Sequence, residues 1–314
     1  MSTTGDAPRP LPTLSPADAE LELAVGAEAI PRTQWQLFWR RFFRHRLAVG
    51  SIIILGLLIF ACFGASWIAP YSISKIDISL VGSAHGPSWK HWFGTDELGH
   101  DQLSVLLHAG QISLRIGLAV AAFSTILGVL VGAAAGYFGN VIDRFLSAVT
   151  DLFLVVPELA LLAVALSYFG RNPTTIILVL AALGWTYIAR VVRGQVLSLK
   201  EKEFVEAARA SGASSWRIII RHILPNLVGA IMVNLTLSVA VAIVAESTLS
   251  FLGYGINPPA NSWGLMLSEN EGAVNDPSKI HLLLFPGLML LITVMCVNFL
   301  GDGLRDAFDP QAKH

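Results

Sequence analysis

Charged residues and cysteine are both scarce in this chain. Only 14% of its 314 residues are charged, whereas 54% are hydrophobic, and the mean hydropathy is +0.62. A soluble domain of this size carries more charged surface, so the composition predicts a protein whose solvent is the lipid bilayer. The two cysteines, Cys62 and Cys296, both fall in apolar stretches. This placement excludes a disulfide framework and favours buried, inert thiols.

Several functional signatures are also missing. The net charge is -1 and no basic block stands apart from the apolar stretches, which argues against a nucleic-acid partner. There is no G-x-x-x-x-G-K-[ST] loop to hold ATP phosphates, and neither H-E-x-x-H nor G-x-S-x-G occurs. The irregular spacing of His85, His91, His100 and His108 is not typical of a metal site. We therefore predict that this chain has no catalytic residue and binds no metal or cofactor.

Six apolar stretches are each long enough to cross about 30 Å of hydrocarbon as a helix of about 20 residues. They lie at 47–68, 116–138, 149–169, 174–192, 228–250 and 282–301. With the N-terminus inside, sixteen of the 21 Lys and Arg residues fall on the cytoplasmic side or at its boundary. This bias follows the positive-inside rule. The sequence thus predicts an all-α, polytopic membrane protein with six transmembrane helices and both termini cytoplasmic.

The remaining segments divide the chain further. We predict the following parts: a disordered cytoplasmic tail at 1–30, an interfacial amphipathic helix at 31–46, a first transmembrane helix at 47–68, an external segment at 69–115, a transmembrane core at 116–301 with a cytoplasmic loop at 193–226, and a cytoplasmic C-terminal tail at 302–314. In "QWQLFWRRFFRHR" the aromatic residues recur at helical spacing, which favours the interfacial helix over a plain aromatic belt.

The outer segments leave two interpretations open. In the external segment, Thr95, Asp96 or Asp101 can start a helix that lies along the membrane. The stretch "GYGINPPANSWGLMLSENEGAVNDPSK" is rich in turn residues and acids, as expected of a docking surface or a partly re-entrant hairpin. A plain solvated loop is the alternative for both segments.

The second apolar stretch carries a face of small residues. Gly128, Gly132 and Gly136 stand four residues apart, so they share one side of a helix and let another backbone come close. We predict that this helix is central to the packing. The alternative is the general tolerance of membrane helices for glycine.

Two glutamates fall within the predicted spans. Glu158 follows Pro157 in the third span, and Glu246 lies in the fifth. Charge at membrane depth is costly, so such groups usually face a bundle interior or an aqueous path. They are candidates for a proton relay or a pore. The alternative is that both are neutral, hydrogen-bonded structural groups.

The loop between the fourth and fifth spans is dense in good helix formers and basic residues. "RVVRGQVLSLKEKEFVEAARASG" is predicted to be one helix that ends at Gly212. Ser214 or Ser215 can then cap a second helix, "SWRIIIRHILP", which Pro225 is expected to disrupt. A short helix with a small-residue tip of Glu206, Ala207, Ala208 and Gly212 would suit insertion into a groove on another protein. A solvated loop that only fixes topology is the alternative.

This loop resembles the EAA loop of bacterial ABC importer permeases. The motif is matched by Glu206-Ala207-Ala208, then Gly212, then Ile223-Leu224-Pro225. The likeness covers residues 32–310 and includes "FGTDELGHDQLS", "GYFGNVIDR", "ESTLSFLGYGINPPANSWGLML" and "NFLGDGLRDAFDP". These strings are similar to the C-type subunit of the dipeptide and oligopeptide permease group. One departure is His100, which stands where the family pattern has Arg.

The resemblance implies an ABC type I importer permease fold in the bacterial cell membrane, with di- or oligopeptides as the transported substrate. It implies a B-type permease partner, two cytosolic ATPases or one fused ATPase, and an extracellular or periplasmic binding protein. ATP and Mg would then be bound by partner subunits only. The implied contacts with the ATPase are Glu206, Ala207, Ala208, Arg209, Ser211, Gly212, Ala213, Ser214, Trp216 and Pro225.

Two alternatives to peptide import remain at this point. Similar permeases carry nickel complexes or glutathione-like molecules. From another class, an ion-coupled secondary carrier could use Glu158 and Glu246 as proton sites, although matching inverted halves are not evident in the sequence.

Overall fold

The computed structural model describes residues 34–308, which are almost wholly helical. The predicted tail at 1–30 lies outside these residues. The helices are α1 (Gln34–Arg44), α2 (Arg46–Phe63), α3 (Ala65–Ile68), α4 (Gln102–Phe138), α5 (Asn140–Val155), α6 (Glu158–Phe169), α7 (Pro173–Leu199), α8 (Glu203–Ala210), α9 (Ser215–Tyr254), α10 (Trp263–Glu269) and α11 (His281–Phe308). Short 3₁₀ turns occur at Ile78–Leu80, Glu271–Asn275 and Pro277–Lys279. Between residues 34 and 308 the only β pairing is a few isolated bridges.

Five of these helices are long and apolar enough to cross a membrane. They are α2, α4, α7, α9 and α11. A sixth candidate is the pair α5 and α6, which together pass the same test but are bent by 81° at their junction. The protein is therefore a multi-pass membrane protein, and the bent pair decides whether it has five or six spans.

Contacts at the two ends of the bent pair place these ends on opposite faces of the helix bundle. Near the start of α5, Asp143 pairs with Arg193, which lies close to the end of α7 that leads into α8. Just after α6, Arg171 donates to the carbonyl of Gly253 at 2.8 Å, at the far end of α9. We call the face that carries α8 the inner face and the opposite one the outer face. The pair runs from inner to outer, so it is one broken span and the predicted number of six is confirmed.

The shape of this third span differs from the prediction. A continuous helix at 149–169 was expected, whereas α5 begins at Asn140 and the helix stops at Val155. Pro157 explains the break, because it has no N–H to donate and its ring forces the preceding residue out of the helical conformation. Val156 is accordingly extended, with φ -72° and ψ 125°.

The predicted helix along the outer membrane surface is not present as a separate element. Asp101 caps the start of α4 by accepting from the N–H of Ser104 at 2.9 Å. From there α4 continues for 37 residues to Phe138, which is about 55 Å at 1.5 Å per residue. Its first four turns pack on α2, α9 and α10 rather than on lipid. The helix therefore runs without a break through residue 116, where the sequence predicted the start of the second span.

The outer half of the core is built around Trp263. This side chain is fully buried at the start of α10, and its indole Nε1–H donates to the carbonyl of Leu106 at 3.0 Å. Its backbone N–H donates to Ser113 Oγ at 3.2 Å. Both partners lie on α4, so the loop after α9 is locked onto the central helix.

The two ends of the described chain pack against each other on the inner face. Phe38 and Phe42 of α1 are buried against Phe308, with the rings of Phe38 and Phe308 4.5 Å apart, while Trp39 and Phe43 stay exposed. Only part of the aromatic face predicted for 31–46 is thus free to meet lipid. The last span also continues past residue 301 as helix to Phe308, where a separate tail was predicted.

Candidate functional site

The loop between α7 and α9 carries a separate short helix, α8, whereas a single helix continuing from α7 was predicted. Helix α7 ends at Leu199, and α8 starts again at Glu203 after a break over 200–202. The break turns the chain so that α8 packs across the ends of α7 and α9. The prediction of one continuous helix was wrong. It was based on helix propensity, which is a local property, whereas the break depends on the packing of α8 against α7 and α9.

Gly212 ends α8 in a Schellman turn. Its φ is +79°, in the left-handed region that favours glycine. The N–H of Gly212 donates to the carbonyl of Arg209 at 3.0 Å, and the N–H of Ala213 donates to that of Ala208 at 3.1 Å. A Cβ at Gly212 would meet no other atom within 4 Å. The glycine is needed here for its backbone conformation and not for space.

A single buried residue anchors α8. Val205 is fully buried against Val196 of α7 and Ile218, Ile219 and Ile223 of α9. The turn residues Ala208 and Ala213 pack on the edge of the same cluster. Ala208 therefore lies on the packed side of α8, whereas the sequence predicted that it belongs to the exposed tip. Because α8 is fixed to two spans, a force on it reaches both of them.

The other side of α8 is exposed. Glu206 and Ala207 face solvent, and Phe204 and Trp216 are 41% and 63% exposed. We call these four residues the coupling surface. Within residues 34–308 the side chain of Glu206 makes no ion pair and no hydrogen bond. Exposed aromatic rings beside an unpaired acid are typical of a surface that a partner covers.

The other residues that the resemblance implies as contacts with an ATPase surround this surface. Arg209, Ser211, Gly212 and Ser214 are exposed, and Ala213 is half-buried. Phe204 is exposed although it is apolar. Its neighbour Val205 takes the buried position, on the side of α8 that packs against α7 and α9.

Pro225 does not disrupt the second helix. Helix α9 passes through it by a π-turn at Ile219–Ile223, in which the N–H of Leu224 donates to the carbonyl of Ile219. The wider turn accommodates a residue that cannot donate. The prediction of a break was wrong, and α9 instead carries the loop directly into the membrane as a helix that continues from Ser215 to a kink at Gly253.

The three predicted glycines lie where α4 meets α7. A Cβ on Gly128 would lie 2.7 Å from Ile188 Cβ, and one on Gly132 would lie 2.5 Å from the carbonyl oxygen of Ala189. A Cβ on Gly136 would lie 2.8 Å from Val196 Cβ. All are closer than atoms can approach, so α4 and α7 touch through backbone along three turns. We call residues 193–226 the coupling loop. The contact between α4 and α7 connects this loop to the centre of the bundle.

Two ion pairs hold α5 to α7 beside these glycines. Arg193 donates to both carboxylate oxygens of Asp143, at 2.5 and 2.8 Å, and Arg190 donates to Asp151 at 2.6 Å. The sequence gives no sign of either pair, because the paired residues stand 39 and 50 positions apart and no local pattern relates them.

Glu246 is the centre of a buried cluster of serine hydroxyls. Its carboxyl group accepts from Ser250 at 2.8 Å, from Ser262 at 2.7 Å and from Ser247 at 3.4 Å. Ser262 in turn caps α10 by accepting from the N–H of Leu265. Glu246 thus joins the outer end of α9 to α10. Its side chain is fully enclosed, which favours the structural interpretation over a proton site.

Glu158 is not among the partners of Glu246. It is the first residue of α6, half-buried behind Pro157, and within the described residues its side chain has no hydrogen-bond partner. The structure therefore does not bring the two predicted acids into one relay. Nor does any group of three or more His, Cys, Asp or Glu between residues 34 and 308 have the arrangement of a metal site.

Replacement of Glu246 tests the structural interpretation. Glu246→Gln keeps an oxygen that accepts from Ser250 and Ser262, so we expect nearly unchanged stability. Glu246→Leu leaves three buried hydroxyls unpaired at about 1–3 kcal/mol each, and we expect a clear loss of thermal stability. The measurement is the melting temperature of both variants. A Glu246→Leu protein that melts at the temperature of the unmodified chain would contradict the structural role.

Two family models and several known proteins are similar to this chain. A family model described as binding-protein-dependent transport system inner membrane component matches residues 128–314. A second, described as the N-terminal TM domain of oligopeptide transport permease C, matches residues 33–84. The oligopeptide transport system permease protein OppC of Haemophilus influenzae is 40% identical over 280 residues, 89% of each chain. The protein of the same name from Mycobacterium bovis is 41% identical over 276 residues, 87% of this chain and 94% of that one.

A solved structure supports the fold. A chain of the inward-facing MetNI methionine ABC transporter aligns with a TM-score of 0.52 at 20% identity, covering 65% of this chain and 96% of that chain. At this identity the match concerns the fold alone. Together with the family models and the relatives, it confirms the resemblance and the permease fold inferred from the sequence. This chain belongs to the family of binding-protein-dependent transport system inner membrane components.

Proposed function

We propose that this chain is a membrane-spanning permease subunit of an ATP-driven importer of di- or oligopeptides. The observation that carries the proposal is the coupling surface. Most of it lies on α8, a short exposed helix that Val205 fixes to α7 and α9. Such a helix transmits movement of a partner to the spans because it cannot yield independently of them. The names of the relatives, which are oligopeptide permeases, favour peptides over nickel complexes or glutathione-like molecules.

The orientation follows from charge. The coupling loop and its flanks carry much of the Lys and Arg of the chain, so the inner face is the cytoplasmic face, and both ends of the described chain lie on that side. The coupling surface then meets a cytosolic ATPase. The chain has no phosphate-binding loop of its own, so the energy comes from that partner, which binds ATP and Mg.

The other partners are proposed on the same basis. A second permease subunit of the B type completes the pore, since the sequence resembles the C-type subunit of a group whose pore is formed by two different permeases. Two ATPase chains or one fused chain contact the two coupling surfaces. A binding protein delivers the peptide to the outer face.

Energised uptake tests this proposal. The assembled transporter is placed in proteoliposomes with the binding protein and labelled tri-alanine on the side of the outer face. We expect accumulation when ATP is supplied on the coupling-loop side and none when only a pH gradient is imposed. Uptake by this chain under a pH gradient without any ATPase would support the ion-coupled carrier and overturn the proposal.

A further inference from the structure

Helix α1 has an apolar side that the rest of the described chain leaves uncovered. Phe38 and Phe42 are buried against the end of α11, whereas Trp39 and Phe43 are 49% and 63% exposed. The two exposed rings are stacked on each other, with their centroids 5.5 Å apart. We call them the aromatic strip. Contact of so large an apolar pair with water is unfavourable, so this strip is expected to meet an apolar environment.

Two arginines lie beside the aromatic strip. Arg40 and Arg44 each directly follow one of the exposed aromatic residues, so they lie about 100° further around the helix. Both are exposed, and within residues 34–308 neither makes an ion pair. We call them the arginine strip. Residues 34–46 contain no acid, so the uncovered part of α1 has an apolar strip with a positive strip next to it.

Helix α1 lies where the chain enters the membrane. Only His45 separates it from α2, and the first apolar residue of α2, Leu47, is 58% exposed. From there α2 crosses the membrane with an exposed apolar side that includes Ile53, Leu57 and Phe60. The aromatic strip is thus continuous along the chain with a lipid-facing surface, and α1 is at the level of the lipid headgroups.

The buried side of α1 joins the inner ends of the first and last spans. Beside the ring contact of Phe38 with α11, His45 Nε2 lies 3.7 Å from Asp306 of the same helix. A Cβ on Gly303 of α11 would overlap the Cβ of Ala48 in α2, so these two spans are in close contact here. A molecule that binds α1 therefore also acts on the ends of α2 and α11.

An anionic phospholipid has the chemistry that fits both strips. Its acyl chains are apolar, and its headgroup has phosphate oxygens and a net negative charge, which guanidinium groups bind well. Amphipathic helices with aromatic and basic residues lie at this boundary, and each basic residue adds to the attraction of an anionic leaflet. We propose that α1 binds anionic phospholipid of the leaflet at the inner face, with the aromatic strip against acyl chains and the arginine strip against headgroups.

Lipid binding to the full chain tests this proposal. The purified chain in detergent is titrated with phosphatidylglycerol or with phosphatidylcholine, which has the same phosphate but no net charge, and bound lipid is counted by native mass spectrometry. We expect the dissociation constant for phosphatidylglycerol to be lower by about tenfold or more. Arg40→Gln/Arg44→Gln should remove most of this preference. Arg40→Lys/Arg44→Lys should keep most of it, because the positive charges remain.

Arg209→Gln/Arg217→Gln is the matched control. Both arginines are exposed on the inner face but lie in the coupling loop, so this variant loses the same charge and should keep the preference. An equal loss in the control would mean that only total charge matters and would overturn the proposal. Equal binding of the two lipids by the unmodified chain, or an unchanged preference in Arg40→Gln/Arg44→Gln, would also overturn it. If the latter variant also loses a subunit from the assembled transporter, a protein and not lipid covers α1.

Discussion

Replacing Gly132 with leucine should lower the free energy of unfolding by about 3 kcal/mol, the upper end of the usual cost of overpacking, because the new side chain meets backbone atoms. The new Cβ would lie 2.5 Å from the carbonyl oxygen of Ala189 and 2.9 Å from Val192 Cβ. The first of these atoms belongs to the backbone of α7 and cannot turn aside. Helices α4 and α7 must then separate, and the melting temperature should fall by roughly 6 °C or more.

Gly56 provides the matched control for this substitution. It also lies within a membrane span, α2, but a Cβ there would meet no atom within 4 Å. Gly56→Leu should therefore change the free energy of unfolding by no more than about 0.5 kcal/mol. Thermal unfolding of both purified variants compares the two sites. Equal melting temperatures would mean that α4 and α7 are not in backbone contact.

Local chemistry made several features of the fold predictable from the sequence. The six apolar stretches had to cross the membrane, and the spacing of Gly128, Gly132 and Gly136 had to place them on one helix side. Gly212 was predicted to end a helix and does so with a positive φ. In each case the cause lies within a few residues of the feature, so a single sequence contains it.

Features that depend on distant contacts were not predictable. The break at 200–202 and the choice of Val205 as the anchor depend on packing against α7 and α9. The path of α9 through Pro225 depends on a π-turn that no propensity signals. Glu246 meets Ser262 across a loop, and Lys279 meets Glu97 across most of the chain. Sequence patterns identify such residues as unusual without naming their partners.

Reversing the charge of Glu206 should have the largest effect on transport. Glu206 lies on the coupling surface, exposed and unpaired within the described residues. Under the proposed function, the ATPase covers Glu206 in the assembled transporter and supplies a positively charged partner, which a lysine would repel. Loss of a buried charge pair costs about 2–5 kcal/mol, and the lower value corresponds to roughly a thirtyfold loss. We expect peptide uptake by Glu206→Lys to fall by at least that factor.

Stability and topology should not change in this variant. An exposed side chain without internal contacts contributes no more than about 0.5 kcal/mol, and an added positive charge on the inner face agrees with the positive-inside rule. Glu201→Lys is the matched control, because Glu201 is exposed in the same loop but precedes α8. It carries the same change of charge and should transport normally.

The central claim is that α8 transmits the energy of ATP hydrolysis to the spans. Its most direct test measures tri-alanine import and ATP hydrolysis in the same proteoliposomes, with the assembled transporter carrying the unmodified chain, Glu201→Lys or Glu206→Lys. The account predicts that the first two import the same amount of peptide per ATP, and that Glu206→Lys imports at least about thirtyfold less. Import by Glu206→Lys at the rate and ATP cost of the unmodified chain would contradict it.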